Sequence, residues 1–286
     1  MVFDVQAFRE DLRKFAVIKT NDLRRLLLDD QNKKTYTKNG LSLNGRGIVN
    51  TAIAVANSRE NLDRYKTFQN KQTTLAGFSF AFDFSGSMNT SINPNRTNRM
   101  MNAGPNELSR YRALVYAMES LLNIITPFGI KSYIGGVLFD HSRNYSSSQF
   151  QTSTDAIQVH LKVIKKDTER FDLNKAFTGT LPHNNTYLCA YAQGAIEMAK
   201  RIKGVDKRIA IYMTDGEDDV SMPYLKSLQD QAKSQGVELI CAVLAVDIKD
   251  RMLDRLKNEG INLAVFKTPQ EFISSLTDVL KNIYLN

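Results

Sequence analysis

The 286-residue sequence predicts an α/β fold with a mostly parallel central sheet and helices on both faces, preceded by a small helical N-terminal module. Three observations point there. From residue 73 onward, short apolar runs rich in β-branched and aromatic residues alternate with longer segments of helical periodicity. Two of those runs end in short polar loops, Asp83-Phe84-Ser85-Gly86-Ser87 and Thr214-Asp215-Gly216. Residues 1–72, by contrast, carry helical patterns and much of the positive charge, so the expected division is a basic module over 1–72 and an α/β domain over 73–286.

The elements follow in order. Phe8, Leu12, Phe15, Leu23, Leu26 and Leu27 keep helical spacing, and Thr20-Asn21-Asp22 resembles an N-cap, which predicts two short helices within residues 7–30. A polar, turn-rich stretch from Asp29 to Gly47 leads to a second helical face over Ile48–Val55. Thr73–Phe84 reads as a buried strand, and residues 88–108, rich in Asn, Arg and Met, form a long loop suited to contact. Glu107–Thr126 is a helix with a broad apolar face. Ser132–Phe139 is a strand, and Ile157–Ile164 reads equally as a strand or a short helix. Helices over 187–202, 222–234, 249–258 and 269–284 then alternate with strands over 208–213, 237–246 and 262–266, with Pro269 in a first helical turn. Strands separated by helices imply parallel pairing through right-handed crossovers.

Composition bounds the function. Charged residues at 24 % and hydrophobics at 42 % fit a globular chain. The early acids Asp4, Glu10 and Asp11 leave no apolar core for a secretory leader, and no run approaches the roughly 18 apolar residues of a membrane span. A cytoplasmic location is the expectation. Cys189 and Cys241 lack metal-ligand spacing and are expected as buried thiols. His141, His160 and His183 form no HExxH-like pair, which argues against a zinc hydrolase. The net charge of +8 is uneven: residues 1–77 hold 14 Lys/Arg against 8 Asp/Glu, and the rest hold 24 against 22. No DNA-binding signature accompanies the basic end, so a protein-docking or solvated face is expected rather than a nucleic-acid site.

The loops after the two apolar runs carry the chemistry. In an open α/β sheet, ligands bind beyond the C-terminal ends of the strands, where Asp83 and Asp215 both fall. A hard divalent cation takes oxygen ligands, and Asp83, Ser85, Ser87, Thr186 and Asp215 offer two carboxylates and three hydroxyls. Gly86 is expected to permit the tight loop between the serines. Singly, each residue has an ordinary reading: Asp83, Ser87 or Thr186 as a helix cap, Asp215-Gly216 as a turn. Jointly they make a metal site with two formal negative charges, receptive to a carboxylate from outside. Glu217, Asp218 and Asp219 read either as acids that support the site or face a partner or, as the preferred reading, as a solvated acidic turn.

The order Asp83-x-Ser85-x-Ser87, Thr186, Asp215 resembles the metal-ion-dependent adhesion site of von Willebrand factor A domains, over residues 75–286. That resemblance implies a Rossmann-like fold, Mg²⁺ or Mn²⁺ held by those five residues, and protein binding without catalysis. Upstream, Leu23-Arg24-Arg25-Leu26-Leu27, Gly40-Leu41-x-Leu43-x-x-Arg46 and Tyr65-Lys66 resemble the C-terminal half of the CobT-type cobaltochelatase subunit, including shortened phage-type versions. Arg46 comes one position early, Asn184-Asn185 stand where Gly-Gly is frequent, and a long acidic segment is missing. The CobT resemblance implies a MoxR-type AAA+ ATPase as partner.

The expectation drawn from both is an adaptor that binds a cation and, through it, a partner's Asp or Glu. One alternative is a chelatase component acting directly in cobalt or magnesium insertion. Another is a structural or adhesive assembly protein. Independent catalysis is disfavoured because Ser85 stands where aspartate-nucleophile phosphatases carry a second Asp, and no Walker-type loop is present.

Overall fold

The structure is a computed structural model of the chain that describes residues 4–28, 35–37, 42–43, 65–67, 76–92, 102–104, 107–138, 160–178, 188–215, 222–245 and 250–285. Two compact units are distinguished: Met1–Leu26 together with Leu75–Asn286, and Leu27–Thr74.

The larger unit begins with helix α1 (Val5–Leu28). Asp4 caps it, its Oδ1 accepting from the amides of Gln6 at 2.9 Å and Ala7 at 3.0 Å. The two helices expected within residues 7–30 are one. Neither Gly nor Pro occurs between Val5 and Leu28, so nothing in the segment removes an amide or frees the backbone. Thr20-Asn21-Asp22 has the composition of a cap, but mid-helix such residues cost only tenths of a kcal/mol.

Unit Leu27–Thr74 contributes strands β1 (Thr35–Thr37), β2 (Ser42–Leu43) and β3 (Tyr65–Thr67), in the order β1-β3-β2. Both pairings are antiparallel, with Tyr36 opposite Lys66 and Leu43 opposite Tyr65. This segment was expected as helix and loop. Thr-Tyr-Thr and Tyr-Lys-Thr are β-favouring, but they are too short for periodicity to reveal. The helical face expected over Ile48–Val55 lies outside the described residues.

The larger unit continues through β4 (Ala76–Phe82), α2 (Arg110–Ile125), β5 (Lys131–Leu138), β6 (His160–Lys165), α3 (Leu173–Phe177) and α4 (Leu188–Arg201). It closes with β7 (Lys207–Thr214), α5 (Met222–Ser234), β8 (Val237–Leu244), α6 (Asp250–Asn258), β9 (Leu263–Phe266) and α7 (Pro269–Leu285). The six strands from β4 to β9 make one sheet in the order β6-β5-β4-β7-β8-β9. Every pairing is parallel except β5 with β6. Numbered from the first core strand, that order is 3-2-1-4-5-6, the doubly wound Rossmann arrangement, here with an antiparallel edge. Residues 160–164 of the segment that reads equally as strand or helix belong to the edge strand β6, and residues 157–159 lie outside the described residues.

Why the sheet is doubly covered is visible in β4, all seven of whose residues are buried. Alternate side chains serve opposite faces. Ala81 joins the cluster of Tyr191, Ala195, Tyr212, Leu225 and Leu256, formed with α4, α5 and α6. Phe82 points to the other face, where its ring meets Tyr111 of α2 edge-on at 5.6 Å. Ser109 opens α2 as its N-cap, accepting from the Arg112 amide. The first helix packs here as well, with Leu12 and Phe8 against Leu108, Ala113, Tyr116 and Phe177. Burying a side chain the size of Leu12 contributes about 1.5–3 kcal/mol. Arg9 adds a bond from its Nε to Glu119 Oε2 at 3.0 Å and lies over the Tyr116 ring.

Candidate metal centre

The topology fixes the position of the site. Beyond the central pair β4 and β7 the chain leaves in opposite lateral directions, and a crevice opens at the C-terminal ends of the two strands. The Asp83 amide donates to Met213 O at 2.8 Å, extending the ladder one step past β4 and fixing Asp83 beside Thr214. The carboxylate of Asp83 is fully buried. Its Oδ1 accepts from the Ser85 amide at 2.7 Å, and its Oδ2 accepts from Thr214 Oγ1 at 2.7 Å.

Ser85 then opens a short 3-10 turn, Gly86–Asn89, closed in part by the Met88 amide on Ser85 O. The turn brings Ser85 Oγ and Ser87 Oγ to 2.9 Å of one another. Ser87 Oγ donates to Asp215 Oδ1 at 2.9 Å, and Arg110 donates from a terminal guanidinium nitrogen to Asp215 Oδ2 at 2.7 Å. Four of the five residues expected to bind metal, Asp83, Ser85, Ser87 and Asp215, thus form one hydrogen-bonded cluster. The fifth, Thr186, lies outside the described residues, as do Asn184, Asn185, Gly216 and the acidic run Glu217, Asp218 and Asp219.

Electrostatics single out Asp83. Burial, and then the nearby Asp215 carboxylate, push it up to about 7, while hydrogen bonds from Ser85 and Thr214 act in the opposite sense. A buried carboxylate facing a second one is short of positive charge, and a divalent cation supplies it. The donor set fits such an ion: carboxylate and hydroxyl oxygens, with no cluster of three or more His, Cys, Asp or Glu among the described residues. The described groups are suited to holding a hard cation.

Several determinants escape sequence reasoning. The glycine that matters is not Gly86, where an added Cβ would meet nothing within 4 Å, but Gly136 on β5, where it would lie 2.1 Å from Phe84 Cε2. The fully buried ring of Phe84, between Asp83 and Ser85, sits on Gly136 and meets Tyr111 edge-on at 5.1 Å. That packing anchors the loop from its apolar side. Arg110 and Thr214 Oγ1 are the polar counterparts, each joined to the site across more than 100 residues. Cys189 and Cys241 are buried thiols that form no disulfide, as their spacing suggested. No helix among the described residues is long and apolar enough to cross a membrane.

No family model and no curated protein matches the chain. Solved structures of similar fold include the conserved hypothetical protein BatB from Bacteroides thetaiotaomicron, 11 % identical, covering 74 % of this chain and 100 % of that one with a TM-score of 0.46. Proximal thread matrix protein 1 from the mussel byssus, in a form with a zinc-occupied MIDAS motif, is 18 % identical over 73 % of this chain and 48 % of its own, TM-score 0.45. A von Willebrand factor type A protein from Catenulispora acidiphila is 14 % identical over 75 % of this chain and 43 % of its own, TM-score 0.41. The site's own geometry, rather than these distant likenesses, carries the functional reading.

Proposed function

We propose that this chain is a metal-dependent protein-interaction module. A divalent cation, Mg²⁺ or Mn²⁺, is held by Asp83, Ser85, Ser87, Thr186 and Asp215 and accepts an Asp or Glu side chain of a partner as a further ligand. The observation that supports this most is the joining of Asp83, Ser85, Ser87 and Asp215 by direct hydrogen bonds at the crevice between β4 and β7. When bound, the cation supplies a Lewis-acid centre for an anionic oxygen. The chain's own groups do the rest. The carboxylates would offset the ion's charge and the serine hydroxyls would supply neutral oxygen donors, while Phe84 on Gly136 holds the loop that carries them.

The finer reading is a cytoplasmic adaptor for a MoxR-type AAA+ ATPase, in the manner of CobT-type subunits. Its support is the upstream sequence order of Leu23–Leu27, Gly40-Leu41, Arg46 and Tyr65-Lys66. Affinity capture from host lysate tests both levels at once, run in Mg²⁺ and in EDTA, with the folded Asp83→Ala variant as control. An acidic-loop partner retained only by the wild type in Mg²⁺ is expected, and its being an AAA+ ATPase would support the finer reading. A partner retained equally in EDTA, or by Asp83→Ala, would contradict the metal-dependent module.

A further inference from the structure

The site contains a charge that its sequence pattern does not include. Arg110, the first residue of α2, reaches Asp215 with a guanidinium-to-carboxylate distance of 2.7 Å, and the two side chains are 9 % and 3 % exposed. This is a pair withdrawn from solvent, where removing one partner leaves the other charge buried and uncompensated. The pair is also lopsided in use. Asp215 gives Oδ2 to Arg110 and Oδ1 to Ser87, whose hydroxyl is shared with Ser85, so the guanidinium is one hydrogen-bonded step from the hydroxyl pair. Asp83 lies on the far side of that pair, tied to Thr214 and the Ser85 amide.

We propose that Arg110 is the resident counter-charge of the metal centre. It holds Asp215 in place in the metal-free protein, weakens cation binding, and makes the loaded site net positive, so that it takes an anionic partner group. Among the described groups hydrogen-bonded at the site, the charge count is simple. Two ionised carboxylates and one guanidinium sum to −1, and a divalent cation turns that to +1. Without Arg110 the same loaded site would be neutral and would draw an anion through the cation's open position alone. Arg110 acts through Asp215 and is a positioning residue that rests on the functional reading above. Its bond to Asp215 Oδ2 runs through one terminal nitrogen, a point contact that a lysine ammonium can reproduce.

The test is Mn²⁺ binding to the full chain, followed by electron paramagnetic resonance of the free ion, in wild type, Arg110→Lys and Arg110→Gln. The proposal expects Arg110→Lys to stay within about threefold of wild type and Arg110→Gln to bind about tenfold or more tightly, the loss of a nearby positive charge in a poorly solvated site. A merely structural arginine would give equal or weaker binding in Arg110→Gln, and that result overturns the proposal while leaving the metal site standing. Should Arg110→Gln fail to fold alone, its refolding in Mn²⁺ decides the matter. Recovery means the cation replaces the guanidinium on Asp215, and failure to recover overturns the proposal. Absence of Mn²⁺ binding by the wild type would remove the functional reading and this proposal together.

Discussion

Two arginine–carboxylate pairs in the larger unit use the same chemistry for different ends. Arg9 and Glu119 join α1 to α2, at side-chain exposures of 29 % and 11 %, and Arg13 stands 3.7 Å from the same carboxylate. Arg110 and Asp215 are more deeply buried and have a second carboxylate, Asp83, within their hydrogen-bonded network. At the first pair, cations outnumber the anion and the surroundings are rings and aliphatic side chains. At the second, anions outnumber the cation and the surroundings are hydroxyls at strand ends. The lesson is that pairing alone says nothing about function. An uncompensated negative charge, placed where strands open onto a crevice, is what marks the proposed metal centre.

The comparison breaks most visibly at the apolar contacts behind each pair. Leu12→Ala, behind the Arg9–Glu119 pair, should lower stability by about 2–5 kcal/mol while leaving Mn²⁺ affinity within twofold of wild type. Denaturant unfolding alongside a metal titration reads both, and a parallel loss of metal binding would show that the two regions are not independent.

Gly136→Ala should do the reverse. The methyl group collides with the Phe84 ring, so a stability loss of about 1–3 kcal/mol should come with clearly weakened Mn²⁺ binding. Wild-type affinity in that variant would mean that Phe84 does not position the loop.

Protons sharpen the contrast further. Asp83 is raised from 3.8 to about 7, so its stabilising contribution is present in full below pH 3.8 and is lost as the pH rises through 7. Metal-free protein should therefore lose stability across that window through this group. Asp83→Asn should flatten the profile, and saturating Mg²⁺ should offset the loss at neutral pH by binding the ionised form. Thermal melts of both proteins from pH 5 to pH 8 provide the check, and identical slopes in wild type and Asp83→Asn would count against it. The smallest effect belongs to Arg9→Gln, about 0.5 kcal/mol, because the pair is partly solvated.

The sequence made the parallel core legible for a physical reason. Strands buried on both faces must be nearly continuously apolar, as β4 and β8 are apart from Ser79 and Glu238, and helices between them must be amphipathic. The edge strand β6 is covered less completely, and its run His-Leu-Lys-Val-Ile-Lys suits either structure. Helix α1 misled at Thr20-Asn21-Asp22 because a cap and a tolerated helix interior share the same residue types. The clustering of Asp83, Ser85, Ser87 and Asp215 was readable, since all four are local to two strand ends. Arg110 and Gly136 were not, because each acquires its role only when the sheet order sets α2 and β5 beside the loops they serve.

The most direct measurement is the Mn²⁺ stoichiometry of wild type and of Asp83→Asn by electron paramagnetic resonance, with circular dichroism confirming that both are folded. The account predicts one Mn²⁺ per chain in the wild type, displaced by Mg²⁺, and its loss in Asp83→Asn. A folded wild type that binds no Mn²⁺, or an Asp83→Asn protein that binds it undiminished, would contradict the account.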